Sequence, residues 1–88
     1  MLNVAVTPPN PADWQGYVAK ATVTCAIGKT VILSVSGSDG YSNASVLVSD
    51  ISTDDVELSV PGGASGVQDT ITVEVDGVVV RTTSLVFG

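Results

Sequence analysis

Three groups of residues in this chain have types and spacings that could do chemistry. VTCAIGKT (23–30) ends in the Gly-Lys-Thr of a phosphate-binding loop. Asp50, Asp54, Asp55 and Asp69 supply carboxylates, and Trp14, Tyr17 and Tyr41 supply aromatic faces. A phosphate loop needs glycine where Val23 stands, so that the backbone can wrap the phosphates. It also needs a helix after the threonine to point its N-terminus at them. TVILSVS follows instead, which is a strand pattern, so Gly28-Lys29 reads as a turn. Nucleophilic catalysis needs a base beside the nucleophile and a third group to orient that base. The chain has no histidine, and Lys20 and Lys29 fall on predicted surface strands or turns. Paired carboxylates need one raised pKa, hence a pocket, and 88 residues spread over two thin sheets leave little room for one. No catalytic set is expected, and the chain reads as non-enzymatic.

Metal chemistry fares no better. DISTDD (50–55) brings three carboxylates but lacks the glycine and terminal glutamate of a dedicated calcium loop, so it reads as a solvated turn. With one cysteine and no histidine there can be no intrachain disulfide and no ordinary zinc site. Cys25 keeps step with Val23 and is expected to be a small buried hydrophobe. No metal or other cofactor is expected. Trp14 and Tyr17, three apart before a long strand, could form a platform for a cell-surface glycan with Tyr41; alternatively, Trp14 caps a core short of large side chains. Asn43-Ala44-Ser45 spells a glycosylation sequon, which means little without an export signal.

Charge narrows the partners. Nine acids against Lys20, Lys29 and Arg81 give a net charge of −6. Three scattered cations cannot neutralise a run of phosphates, so nucleic acid is not expected as a partner, nor is an anionic membrane. MLNVAVTPPNP has no basic segment followed by a long apolar one, so it does not read as a secretion signal. Starting at Met1, the chain is expected to be made in a cytoplasm and to stay there unless it is packaged into an assembly.

The positioning elements are strands. Apolar residues make up 44% of the chain, mostly valine and alanine, which suits pleated surfaces better than helices. LNVAVT (2–7) alternates and is stopped by PPNPAD, a stiff, donor-poor connector. YVAKATVTCAI (17–27) places Ala19, Ala21, Val23, Cys25 and Ile27 on one face. Gly28-Lys29 suits a type II′ hairpin into 30–36, where Val31, Leu33 and Val35 point inward. Further strands are expected near 45–51, 56–60, 70–75 and 78–87, with turns at GSDG (37–40) and STDD (52–55). VPGGASGVQDT (60–70) reads as a connector in which Asp69 serves the turn.

Asp76-Gly77 between alternating runs is a strong hairpin signal, because both central residues need positive φ. A two-residue loop pairs Val75 with Val78 and Val73 with Val80, and sets Thr72 opposite Arg81. Leu85 and Phe87 then have the wrong parity for the core face. Either a bulge near 82–84 restores that face, or these residues meet a partner. Seven short strands joined by Gly/Asp/Ser turns predict an all-β, Ig-like antiparallel β-sandwich.

Residues 30–77 resemble the bacterial and phage immunoglobulin-like domains that include intimin and invasin repeats. The resemblance rests on Thr53, Asp54, Val56, Leu58, Pro61, Gly62, Gly63, Asp69, Thr70, Ile71 and Val73; Asp55 stands where glycine is usual. It covers about half of the chain and lacks the Cys…Trp…Cys core of antibody domains. It implies either a spacer in a bacterial surface adhesin or a decoration on a virus capsid or tail. A free-standing acidic module fits the virion better. On that reading, residues 1–13 form an N-terminal strand and Pro-rich arm, and 14–88 form the sandwich. The partner is a protein of the capsid or tail lattice, or a second copy. It is met by strand addition or apolar docking through Leu2, Val4, Val6, Pro8, Pro9 and Pro11, or through Leu85 and Phe87.

Overall fold

The computed structural model describes residues 2–7 and 16–88. Seven strands run β1 Asn3–Thr7, β2 Tyr17–Thr24, β3 Thr30–Gly37, β4 Ser42–Val48, β5 Thr53–Val60, β6 Gln68–Val75 and β7 Val78–Val86. They form two antiparallel sheets, ordered β1-β2-β5 and β4-β3-β6-β7. The all-β antiparallel sandwich expected from the alternation is the fold observed. β4 pairs with β3 and so lies on the four-stranded sheet, whereas immunoglobulin constant domains place their fourth strand on the other one. β1 pairs with β2 along its whole length, and Val4 is buried. Residues 3–7 are therefore part of the sandwich rather than of a separate arm.

The core is the sum of the alternating stripes. Ala19, Ala21 and Val23 of β2 and Val56, Leu58 and Val60 of β5 meet Val31, Leu33 and Val35 of β3 and Ile71, Val73 and Val75 of β6. Small and β-branched side chains let the two sheets approach closely, which compensates for the shortage of aromatics.

Three local expectations are corrected. β2 ends at Thr24, and the parity of its stripe breaks there: Cys25 is exposed, Ala26 is buried and Ile27 is exposed. The cause is turn chemistry. Lys29 N donates to Ala26 O at 2.9 Å and Gly28 has φ +80°, so 26–29 is a turn with glycine at its third position. It carries the chain from one sheet to the other, and β2 and β3 are not hairpin partners. Cys25 takes a left-handed φ of 64° and its N–H donates to Ser52 O at 2.8 Å. Its thiol should therefore react with a water-soluble disulfide reagent in the native protein about as fast as in the unfolded chain. A thiol silent until denaturant is added would contradict this placement.

The second correction concerns 49–55. The turn falls at 49–52, and Asp54 and Asp55 already belong to β5 because Thr24↔Thr53 and Thr22↔Asp55 pair across to β2. Correspondingly, β4 ends at Val48 and starts at Ser42, three residues before the expected segment.

The third is the β6–β7 register. Asp76 and Gly77 both have positive φ (49° and 82°) as the Asp-Gly signal required, and Val75 pairs with Val78. Glu74 then pairs with Val79, but Val73 pairs with Arg81, so Val80 is skipped. The bulge exists, but it sits at Val80 rather than at 82–84. It turns Thr83, Leu85 and Phe87 toward the interior.

Candidate protein-interaction edge

Among the described residues β1 bonds only to β2 and β7 only to β6, so each presents one edge free of any described strand, and the two strands lie beside each other on one side of the sandwich. Between them is a groove of about 230 Å³ lined by Leu2, Asn3, Val4, Val80 and Arg81. Val78 and Val80 are exposed along its β7 margin and Leu2 is exposed just before β1, whereas Val79, paired with Glu74, is exposed on the outward face of the sheet. The bulge creates this arrangement, since three successive valines cannot all reach the core. Unpaired backbone N–H and C=O groups beside apolar side chains are what an added strand requires, and β7 has Arg81 as its one charge to deter it.

The sequence-predicted partner residues divide. Leu2 lies on the groove. Val4 lines its floor from within the core, and Val6 is partly buried against the core. Pro8, Pro9 and Pro11 lie outside the described residues. Leu85 is partly buried and packs on the core. Phe87 needs a correction: it is 3% exposed, with its ring centroid 6.0 Å from that of Tyr17. A side chain at Gly63 would strike the same ring at 2.9 Å, and Phe87 backbone bonds to Gly66 and Val67 fasten it. Phe87 fills the domain's own interior and has no surface to offer a partner. VPGGASGVQDT thus connects β5 to β6, as expected, and its glycine also makes room for this ring.

The proposed glycan residues fare differently. Trp14 lies outside the described residues. Tyr17 and Tyr41 both pack against the core at one end of the sandwich. The Tyr17 hydroxyl donates to Asp69 Oδ2 at 2.7 Å, joining the two sheets. Burial first, and then the adjacent Asp69 carboxylate, push the phenol well above its ordinary pKa. Tyr17 is therefore a structural latch and not an open platform. Asp69 is correspondingly not a turn residue: it is 2% exposed. Its parity with Ile71, Val73 and Val75 was the signal that it points inward.

The remaining carboxylates are dispersed. Asp54 Oδ1 accepts from the Asp55 N–H at 2.9 Å. Asp55 accepts the Thr22 hydroxyl at 2.7 Å and lies 3.5 Å from Lys20 Nζ; these contacts, Thr22 foremost, hold its carboxyl below the ordinary value. Asp76 caps Thr30 N at 2.9 Å and pairs with Lys29 at 3.7 Å. Among the described residues no group of three or more His, Cys, Asp or Glu side chains could hold a metal ion.

No protein-family model and no curated protein sequence matches the chain. Among solved structures it is similar to the sensor domain of the anti-sigma factor RsgI4 of Pseudobacteroides cellulosolvens. The longer form of that domain aligns at 13% identity with a TM-score of 0.78, over 99% of this chain and 89% of that one. The shorter form aligns at 12% identity with a TM-score of 0.78, over 98% of this chain and 93% of that one. At such identity the likeness concerns the fold alone.

Proposed function

We propose that this domain is a non-enzymatic structural component of a phage virion, a capsid-decoration or tail-associated module of the bacterial and phage Ig-like group. On this reading it is made in the host cytoplasm and binds a neighbouring lattice protein along the β1–β7 side. The observation that carries the protein-binding part is the pair of free strand edges flanking a groove lined by Leu2, Asn3, Val4, Val80 and Arg81, with Val78 and Val80 exposed beside it. An incoming strand would satisfy the β7 backbone groups while its side chains cover those valines and Leu2. The virion setting is supported by the resemblance of residues 30–77 to that group. The test is quantitative protein analysis of purified particles of the phage encoding it. The protein is expected in fixed stoichiometry to the major capsid or tail protein, with that stoichiometry lost on Val80→Asp. Particles that lack it would end the virion reading.

A second reading, a spacer in a longer bacterial surface adhesin, is favoured by a different observation. β1 begins beside Thr24, at the end of the sandwich opposite to where Phe87 joins Val67. Chain entry and exit at opposite ends suit head-to-tail repetition. A glycan-binding role has less support, because Tyr17 is committed to Asp69 and Phe87.

A further inference from the structure

The two sheets turn different kinds of face to solvent. The outward face of the three-stranded sheet is an ordinary charged one: Lys20 stands opposite Glu57 and 3.5 Å from Asp55. The outward face of the four-stranded sheet is almost without charge, in a chain of net −6. Its rows follow from the register. One row, apolar at both edges, runs Val46–Ile32–Glu74–Val79. The middle row is Ala44–Ser34–Thr72–Thr82, and the next is Ser42–Ser36–Thr70–Ser84. Glu74 is the one charged side chain among them. A shallow hollow of about 240 Å³ lined by Ser36, Gly37, Ser38, Gln68 and Thr70 continues the uncharged surface toward the end of the sheet.

We propose that this face is a self-association surface, covered by the same face of a second copy. The charge distribution is the first argument. Copies carrying six net negative charges repel, and on this face they meet with a single acid each, Glu74, where the other face brings Asp55, Glu57 and Lys20 together. Depletion of charge is also what sets the centre of an interface apart from ordinary surface. Area is the second. Four strands about 4.8 Å apart and some seven residues long make a face of roughly 500 Å² in projection. The accessible area of such a side-chain-covered face is somewhat larger, which suits the small interfaces, below about 600 Å² per partner, of weak associations. Side chains no larger than isoleucine and glutamate allow the two faces to approach closely.

Glu74 selects the arrangement. If the two-fold axis lies in the sheet plane and across the strands, the middle row meets itself. The Glu74 row then meets the partner's Ser42–Ser84 row. Glu74 comes to rest over Thr70 of the partner subunit, a hydroxyl that can donate to its carboxylate. An axis along the strands would leave the two Glu74 side chains level with each other, which like-charge repulsion disfavours.

This association is independent of the β1–β7 edge, so it can fail while the virion reading stands, and the reverse. The experiment is sedimentation equilibrium of the full chain from about 1 μM to about 1 mM, a range that spans weak to moderate dimers. The wild-type mass should double across this range. Thr72→Glu, at the centre of the face, should weaken the dimer at least about tenfold, since it places two carboxylates near the axis. Ser59→Glu, outward on the other sheet, should leave it unchanged. An equimolar mixture of Thr72→Glu and Thr72→Lys should restore association, a result that a mere folding defect in either variant would not give. A wild-type chain monomeric at the highest concentration would overturn the proposal. Equal behaviour of Thr72→Glu and Ser59→Glu, or no restoration by the mixture, would do the same.

Discussion

Phe87→Ala is expected to destabilise the domain by about 3–5 kcal/mol, the usual cost of emptying a buried aromatic site, measured as a shift in urea midpoint at unchanged slope. The ring is 3% exposed, packs on Tyr17 and lies in the space left by Gly63. Collapse around the missing ring is resisted by the backbone, because Gly66 N donates to Phe87 O and Phe87 N donates to Val67 O, both at 2.9 Å. These bonds hold the 64–67 turn and the end of β7 apart at a fixed spacing, so the cavity would stay largely open. Gly63→Ala approaches the same site from the other side. Its methyl would lie 2.9 Å from the ring, and the ring or the loop must shift. If Phe87 were instead a partner contact, truncating it would leave the isolated domain's stability within about 0.5 kcal/mol of wild type, as for ordinary surface changes.

The placement of Phe87 shows which parts of the fold could be read from the sequence. Period-two stripes were legible: Val31, Leu33 and Val35 of β3 are buried as expected, and so are the alternating Val56, Leu58 and Val60 of β5 and Ile71, Val73 and Val75 of β6. A stripe that must alternate to bury one face leaves little freedom of register. Asp76-Gly77 was legible because few residue pairs accept two positive φ values in succession. The existence of a β7 bulge was legible from the parity of Leu85 and Phe87. Its position was not, since Val78-Val79-Val80 carries no local mark of which valine is skipped.

What failed had a common physical origin. Cys25 and Ala26 exchanged their expected places because a glycine turn can serve either a hairpin or a crossing between sheets, and local sequence does not distinguish them. The long-range bonds decide it: Gly28 N donates to Ser49 O and Ser49 N to Lys29 O, tying the crossing to the 49–52 turn. The acids of β5 were misplaced into a turn because aspartate is a weak strand former. What overrides that preference is pairing with β2, where Thr22 and Lys20 engage Asp55. The proposed interaction surfaces were only half visible. Leu2 was among the expected contacts, but the groove depends on β1 and β7 coming together across the sandwich. The uncharged face depends on aligning four strands that are not all consecutive in sequence.

The Tyr17–Asp69 latch gives the other large expected effect, and one that depends on pH. Tyr17→Phe removes the one hydroxyl that donates to Asp69 Oδ2 while leaving the ring against Phe87. The carboxylate, 2% exposed, then loses a partner it cannot recover from bulk water. The cost should be about 1–3 kcal/mol at neutral pH, toward the upper end because the acceptor is a carboxylate. The sign of the alkaline effect follows from the raised phenol pKa. An unfolded tyrosine ionises near pH 10, whereas the folded one resists because burial and Asp69 both oppose a second negative charge there. The latch's contribution is therefore complete below about pH 10 and is lost as pH rises from there toward the folded value, because the unfolded chain releases a proton that the folded one keeps. Urea denaturation between about pH 7 and pH 11 should show wild-type stability falling more steeply above pH 10 than that of Tyr17→Phe, so that the two curves converge. Tyr41 is common to both proteins and cancels in the comparison. Parallel curves would mean that Tyr17 titrates alike in both states, and the latch would then be a geometric contact without energetic weight. Asp69→Asn separates the two contributions. It keeps an acceptor for the hydroxyl but removes the charge, so it should lose less stability than Tyr17→Phe and flatten the alkaline slope.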